Sequence, residues 1–241
     1  MSVFDLENVE LQRKRDFDYR LRISKFYLDK GEIIALVGPS GCGKSTALDI
    51  LGMALKPTSV ERFIFSPDNQ SMDVGKLWKG DQTDRMAYLR SLYLGYVLQT
   101  GELLPFLNVE DNIRLTASIK GLKSPQTEIL MKELDIVSLR RSMPKTLSIG
   151  ERQRVAICRA LVSQPKVIFA DEPTAALDPL MAKKVMGLLV KTVREAQAAL
   201  VIVTHDIRLA EEFGFNQVPV RVEMRENSVS AFLNRVREGA E

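Results

Sequence analysis

A glycine-rich stretch that directly follows an apolar run constrains the fold of this chain more than any other feature. The apolar run Ile33–Val37 is typical of a buried strand, and residues 47–51 are good helix formers. Glycines let backbone N–H groups turn inward around an anion, while a lysine reaches the outer phosphates and a serine hydroxyl serves Mg²⁺. The order of strand, phosphate-binding loop and helix predicts an α/β fold. The stretch satisfies the pattern G-x-x-x-x-G-K-[ST] with Gly38, Pro39, Ser40, Gly41, Cys42, Gly43, Lys44, Ser45 and Thr46.

Length, charge and cysteine usage limit the classes of protein that the chain can belong to. With 241 residues, 45% of them hydrophobic, it can bury a substantial core and fits one large domain. A formal charge of +3 is too small to indicate nucleic acid as the main partner. The two cysteines, Cys42 and Cys158, are far apart in sequence, which favours reduced thiols and a cytoplasmic protein. Neither a leader nor a run of the ~20 apolar residues that span a membrane is expected, so any membrane contact must come through another polypeptide.

Further apolar runs indicate how the chain is organised. Residues 166–170 and 200–204 are continuous apolar runs, which suit strands buried on both faces of a parallel sheet. Two β-rich segments, residues 3–11 and 19–28, precede the phosphate loop and predict an antiparallel subdomain at the N-terminus. Residues 101–146 read as mainly helical and are predicted to form an inserted helical subdomain. The core would then comprise about residues 1–100 and 147–241.

Two carboxylates follow the apolar run 166–170. Because strands of a parallel sheet present their C-terminal ends at one edge, Asp171 and Glu172 are expected near the phosphate loop. Asp171 then suits the Mg²⁺ shell, and Glu172 can face the water that attacks a γ-phosphate. The alternative is an exposed acidic turn, since Asp-Glu-Pro is also a good turn sequence.

A helix start near residue 148 forms the third element. Ser148 and Glu151 have the spacing of a capping box, which by itself is only a structural device. A capped helix start that exposes a hydroxyl and the N–H of Gly150 can also bind an anion, so both interpretations can hold. Asp178 and Pro179 similarly predict the N-cap and first turn of another helix.

With these motifs the chain resembles the nucleotide-binding subunits of ATP-binding cassette (ABC) transporters over nearly its whole length. Residues 38–46 look like the Walker A motif, 167–172 like Walker B and 147–151 like the signature of that family. The Q-loop, D-loop and switch residues of the family match Gln99, residues 176–178 and His205. The resemblance implies a P-loop NTPase (RecA-like) core, a single nucleotide-binding domain, and ATP and Mg²⁺ as cofactors.

The resemblance also implies residue roles. Glu172 and His205 would be catalytic, although a lone histidine taken by itself is more often structural. Ser45, Gln99 and Asp171 would hold the metal ion. Residues 38–46 would bind ATP, and Asp178 would communicate across a dimer. The signature residues Ser148, Gly150 and Glu151 would act on the ATP of the partner subunit.

The implied partners are a second nucleotide-binding subunit, expected to be an identical copy, and transmembrane permease subunits. The chain is therefore expected on the cytoplasmic face of a bacterial inner membrane, held there by the permease. Residues 94–99 and 103–113 look like the branch that contains the lipoprotein-releasing and macrolide-exporter ATPases. The alternative is that this region is the membrane-partner groove of any bacterial cassette.

Two positions depart from the family pattern. Ile149 stands where the signature usually has its first glycine, and a β-branched residue restricts the backbone there. This departure leaves open a nucleotide-gated binding or regulatory module that hardly hydrolyses ATP. The second departure concerns the aromatic residue that commonly stacks on adenine. Phe17 and Tyr19 are candidates, but the expected register lies nearer residues 13–15, where an arginine could stack instead.

Overall fold

A computed structural model of the chain describes residues 2–14, 18–68, 70–122, 126–225 and 228–236. These residues form one ten-stranded sheet in the order β5-β4-β1-β2-β10-β9-β3-β8-β7-β6. The strands are β1 Ser2–Lys14, β2 Asp18–Asp29, β3 Ile33–Val37, β4 Ser59–Phe65, β5 Met72–Asp73, β6 Leu94–Val97, β7 Val167–Asp171, β8 Ala199–Val203, β9 Asn216–Arg225 and β10 Ser228–Leu233.

Eight α-helices lie between the strands within these described ranges. Two short 3₁₀ turns, Val137–Leu139 and Pro144–Thr146, connect the fifth helix to the sixth. The helices are α1 Lys44–Leu51, α2 Val74–Lys79, α3 Thr83–Tyr93, α4 Val109–Ile119, α5 Gln126–Glu133, α6 Ile149–Val162, α7 Pro179–Ala196 and α8 Ile207–Glu212.

The parallel half of the sheet consists of β6, β7, β8, β3 and the first part of β9. All five residues of β8 are buried, as are the first four of β7. Strands that are covered on both faces need apolar residues at every position, which explains their unbroken apolar sequences. The C-terminal ends of β3, β6, β7 and β8 meet at one edge, where the predicted polar residues follow each strand.

The antiparallel half contains β1, β2, β4, β5, β10 and the second part of β9, although β10 and β2 pair with each other in the parallel direction. Buried and partly exposed residues largely alternate along β1, as expected for a strand that is covered on one face. β9 belongs to both halves. Its residues 216–219 pair with β3 in parallel, and residues 220–225 pair with β10 in the antiparallel direction.

The α/β class, the parallel core strands and the N-terminal antiparallel strands agree with the sequence interpretation. The sequence interpretation did not predict β4, β5 and α2, which lie in residues 59–84, nor β9 and β10, which follow α8. The segment 101–146 contains α4 and α5, as predicted, and packs on α6 through buried residues such as Ile113 and Met131.

No helix in the described part of the chain combines the length and the apolar character of a membrane span.

Candidate functional site

The phosphate loop, residues 38–46, joins β3 to α1 and holds its lysine inward. Lys44 is the first residue of α1 and is only 5% exposed. Its Nζ donates hydrogen bonds to the carbonyl oxygens of Gly38 and Pro39, each at 2.8 Å. The ammonium group is therefore held at the concave side of the loop, where a phosphate oxygen can replace a carbonyl as its acceptor.

The start of α1 leaves backbone donors for an anion. Its N-cap is Gly43, which has a φ of 95° and offers no side chain to cap the helix. A Cβ at this position would lie 2.1 Å from the hydroxyl oxygen of Tyr19, so no larger residue fits without a shift. The first N–H groups of the helix have no side-chain cap, and their dipoles favour a negatively charged ligand there.

Asp171 is the last residue of β7 and carries a buried carboxylate oxygen without a partner. Its Oδ1 makes no hydrogen bond to any described residue. Burial raises the pKa of Asp171, and Glu172 and Asp49 raise it further, whereas a hydrogen bond with Ser45 and the charge of Lys44 lower it. An orphaned carboxylate oxygen beside a serine hydroxyl is a donor set of the kind that Mg²⁺ prefers. The residues present thus fit the predicted metal ion.

Glu172 lies between Gln99, the predicted Q-loop residue, and His205, the predicted switch residue. Its Oε2 accepts a hydrogen bond from Nε2 of Gln99 at 3.2 Å, and its Oε1 lies 2.9 Å from Nε2 of His205. The backbone of Glu172 has a φ of 46°, and its N–H donates to the carbonyl of Val203 at 2.9 Å. Such a φ is uncommon for a residue with a side chain, and it turns this residue away from the strand direction of β7.

The helix start at Ser148 is a complete capping box. Oγ of Ser148 accepts from the N–H of Glu151 at 3.2 Å, and Oε2 of Glu151 accepts from the N–H of Ser148 at 2.7 Å. Ile149 is the first residue of α6 and is 60% exposed. Isoleucine can adopt a helical backbone, so the backbone conformation at position 149 does not require a glycine. Gly150 is the constrained residue, since its Cβ would lie 3.0 Å from the carbonyl of Ala176.

The structure therefore brings together one set of predicted residues and leaves another set apart. Lys44, Ser45 and Asp171 lie at one sheet edge, and Glu172 links the metal-binding candidate Gln99 to His205. Within the described ranges, no hydrogen bond or ion pair joins residues 147–151 to the phosphate loop. Asp178 is exposed and caps α7, where it accepts from the N–H groups of Leu180 and Met181.

The structure also assigns a position to residues near the expected base contact. Phe17 and Arg15 lie outside the described residues. Tyr19 turns its hydroxyl towards Gly43 and packs its ring against the core. Arg13 is exposed and pairs with Tyr19 across β1 and β2. Sequence reasoning missed this contact between Tyr19 and the phosphate loop, and the only signal for it was an aromatic residue at the start of a strand.

Comparison with known families and proteins gives concordant matches. The family model described as "ABC transporter" matches residues 21–175. The chain is 39% identical over 209 residues to the lipoprotein-releasing system ATP-binding protein LolD of Idiomarina loihiensis, with 85% of each chain covered. It is 41% identical over 187 residues to LolD 1 of Rhodospirillum rubrum, which covers 76% of this chain and 79% of the relative.

Two solved structures with the same fold are dimers of a cassette. A post-hydrolysis dimer of the ATP-binding cassette MJ0796 bound to ADP and Pi matches with a TM-score of 0.79 and 30% identity, covering 97% of both chains. Another dimeric structure of MJ0796, described as a bacterial ABC transporter cassette, matches with a TM-score of 0.78 and 29% identity. That match covers 96% of this chain and 94% of the other.

Proposed function

The chain belongs to the ABC transporter family, and on this premise we propose that it binds and hydrolyses ATP to drive a separate transmembrane subunit. The observation that carries the proposal is the position of Glu172, whose two carboxylate oxygens face Gln99 and His205. A structural acidic turn would not need both contacts. The named relatives are ATP-binding proteins of lipoprotein-releasing systems, and we extend this substrate class to the system of the present chain.

Nucleotide binding rests on the phosphate loop. The inward N–H groups at the start of α1 and the ammonium of Lys44 would bind the phosphates of ATP. Ser45 and Asp171 would hold Mg²⁺ together with Gln99, and the bound ion would neutralise charge on the phosphate oxygens. The orphaned Oδ1 of Asp171 supports this assignment, because a buried carboxylate oxygen without a partner is costly in a resting protein.

Hydrolysis would use Glu172 as the general base. Its carboxylate takes a proton from the attacking water as the new P–O bond forms and the bond from the γ-phosphorus to the ADP oxygen breaks. His205 can donate a hydrogen bond from Nε2 to the Glu172 carboxylate and so fix its orientation. The same imidazole would contact a γ-phosphate oxygen. Gln99 donates to the other oxygen of the same carboxylate, so a movement of Gln99 would change the orientation of the Glu172 carboxylate.

A second subunit would complete the site. Ser148 and Gly150 lie at an exposed helix start that makes no hydrogen bond to the phosphate loop of its own chain within the described ranges. The two solved structures of MJ0796 are dimers. We therefore assign the capped start of α6 to the γ-phosphate of the partner's ATP, and the exposed Asp178 to contact across the dimer.

The membrane partner would contact segment 101–146 through a cleft of about 470 Å³. The cleft lies between α1 and α3 on one side and α4 and α6 on the other. Two half-buried arginines line it, and burial lowers the pKa of both Arg90 and Arg159. Both guanidiniums donate to backbone carbonyl oxygens, Arg90 to Met53 at 2.7 Å and Arg159 to Glu102 at 3.0 Å. Neither forms an ion pair with a residue that the structure describes, so an acidic side chain of a partner would find desolvated cations without a carboxylate partner there. The other walls come from Asp49, Gly52, Tyr96 and Thr116.

Substitution of the base tests hydrolysis. Glu172→Gln should reduce phosphate release at least 100-fold while fluorescent ATP still binds, because the amide cannot accept the proton. Lys44→Ala should weaken binding itself. Glu195→Gln, on the exposed surface of α7, serves as the matched control and should behave like the parent. A Glu172→Gln protein that hydrolyses ATP at the parent rate would show that the base is assigned wrongly.

The alternative of a binding module is tested at the signature. The structure does not favour this alternative, because Ile149 takes a helical backbone and points its side chain to the surface. The parent should release phosphate much faster than Glu172→Gln does. If the two rates are equal and Ile149→Gly restores turnover, the binding module is the better description.

Co-purification from membranes tests the partner. Arg90→Gln and Arg159→Gln together should reduce recovery with transmembrane subunits, while the isolated chain still binds ATP. Arg85→Gln on α3 is the control, since Arg85 is exposed and does not line the cleft. Undiminished recovery of the double variant would exclude the two arginines as the contact.

A further inference from the structure

Tyr19 approaches the phosphate loop at Gly43, with its hydroxyl group facing that glycine. It lies near the start of β2, opposite Arg13 on β1 and Val229 on β10. Its hydroxyl oxygen would be 2.1 Å from a Cβ on Gly43, and the methyl group of Ala231 would be 3.5 Å from the same point. The antiparallel half of the sheet thus forms the rear wall of the loop at Gly43.

The hydroxyl group of Tyr19 has an unusual environment. The oxygen is fully buried and makes no hydrogen bond of normal geometry with any described residue. Burial raises the pKa of Tyr19, and the neighbouring Thr46 hydroxyl acts in the opposite direction. A buried hydroxyl without a partner costs free energy that a phenylalanine would not cost. Its retention therefore needs a reason other than packing.

Thr46 supplies that reason. It is the last residue of the phosphate loop and lies in the first turn of α1, with its hydroxyl near that of Tyr19. A threonine hydroxyl has one proton and two acceptor lone pairs. If Tyr19 donates to the Thr46 oxygen, the Thr46 proton is left to donate elsewhere, and a phosphate oxygen in the loop is the available anion.

We propose that Tyr19 is a positioning residue for nucleotide binding: its hydroxyl, which has no partner among the described residues of the free chain, donates to Thr46 once ATP is bound, so that the Thr46 hydroxyl donates to a phosphate oxygen. The inference rests on the proposed binding of ATP at residues 38–46. In such a chain of hydrogen bonds each donor polarises the next, and the terminal bond to an anion is strengthened. The structure thus gives Tyr19 a role behind the loop, distinct from stacking on the base.

Direct binding measurements with Tyr19→Phe test the proposal. The ring and its packing are retained, so the melting temperature without nucleotide should stay equal or rise as a buried orphan hydroxyl is removed. The dissociation constant for ATP, measured by calorimetry, should rise about three- to ten-fold, the usual range for one hydrogen bond. In the assembled complex, KM for ATP should rise while kcat changes little. Tyr88→Phe, an exposed tyrosine on α3, is the control.

A double variant separates positioning from simple packing. Thr46→Val removes the hydroxyl through which Tyr19 is proposed to act, so adding Tyr19→Phe to it should cause no further loss of affinity. Equal losses in the two backgrounds would overturn the proposal, and so would an unchanged affinity of Tyr19→Phe alone. A parent chain that binds no ATP would instead overturn the proposed function on which the inference rests.

Discussion

Asp171 is a residue whose charged side chain destabilises the fold in the absence of a ligand. Its carboxylate is half-buried, one oxygen has no partner, and burial is the main cause of its raised pKa. Relative to the ordinary value of 3.8, the folded state binds the proton more tightly. The charged form therefore destabilises the fold, and this cost appears as pH rises through the raised pKa and persists at neutral pH.

We predict that Asp171→Asn stabilises the chain in the absence of ligands. The gain at pH 7 should be about 1 kcal/mol after allowance for solvent screening, or about 2–4 °C in melting temperature. The gain should disappear in acid, where Asp171 is itself protonated. Addition of MgATP should stabilise the parent more than the variant. Thermal melts in EDTA and in MgATP measure both effects, and a variant less stable than the parent in EDTA at pH 7 would contradict the prediction.

The sequence indicated where most candidate site residues lie because each follows an apolar strand or starts a helix, and their roles stay predictions. The roles of Ile149 and Tyr19 were not predictable in the same way. Whether isoleucine is tolerated at position 149 depends on the backbone angle at the start of α6. The contact of Tyr19 with Gly43 joins two residues that are 24 positions apart in the sequence. Neither the backbone angle nor that tertiary contact leaves a periodic signal.

Among the elements, α6 joins a structural cap to a proposed contact with the partner. The capping box fixes Ser148 at the start of the helix through two reciprocal hydrogen bonds. The hydrogen bonds with the backbone and hydroxyl of Ser148 lower the pKa of Glu151. The stabilising contribution of the charged cap is therefore present above the ordinary pKa of 4.5 and is lost as pH falls through the lowered value.

We predict that Glu151→Ala costs about 1 kcal/mol of stability through loss of the cap. It should also slow ATP hydrolysis, since the Ser148 N–H is released and the exposed turn loosens. Glu151→Gln retains an acceptor of the same length and should preserve both stability and turnover. Urea unfolding and phosphate release check the pair of variants. Equal behaviour of Glu151→Ala and Glu151→Gln would exclude a role for the cap.

The strand β9 explains why the end of the chain was not predicted. A proline inside a run usually argues against a strand, and Pro219 stands in the middle of β9. In the structure Pro219 is the last residue that pairs with β3, and Val220 is opposite Leu233 of β10. The proline thus occupies the point where the strand changes partner, where the regular ladder of hydrogen bonds is interrupted in any case.

For the molecule as a whole, Arg235 ties the end of the chain to the middle of the sheet. Its guanidinium pairs with both oxygens of Glu32, donates to the carbonyl of Tyr27 at 2.7 Å and lies 4.4 Å from the centre of the Tyr27 ring. Burial alone raises the pKa of Glu32, but the hydrogen bonds from Arg235 and the Asp29 backbone lower it overall. The pair therefore stabilises the fold above the ordinary pKa of 4.5 and loses its effect as pH falls through the lowered value.

We predict that Arg235→Ala lowers the free energy of unfolding by about 2–3 kcal/mol at pH 7, because it leaves a partly buried carboxylate unpaired. Arg62→Ala is the matched control. It removes an ion pair with Asp5 in which both side chains are more than 40% exposed, and should cost less than about 1 kcal/mol. Urea titrations compare the two variants, and equal losses would show that Arg235 acts only as a surface charge.

The partition of β9 between the two halves has a consequence for biosynthesis. Residues 38–46 are made early, but β9 and β10, which stand against Gly38 and Gly43, are made much later. A nascent chain emerging from the ribosome in this order carries the complete phosphate-loop sequence long before the loop has its rear wall. Nucleotide capture should therefore await the synthesis of β9 and β10, and a chain truncated after β8 should retain the Walker A sequence without its affinity.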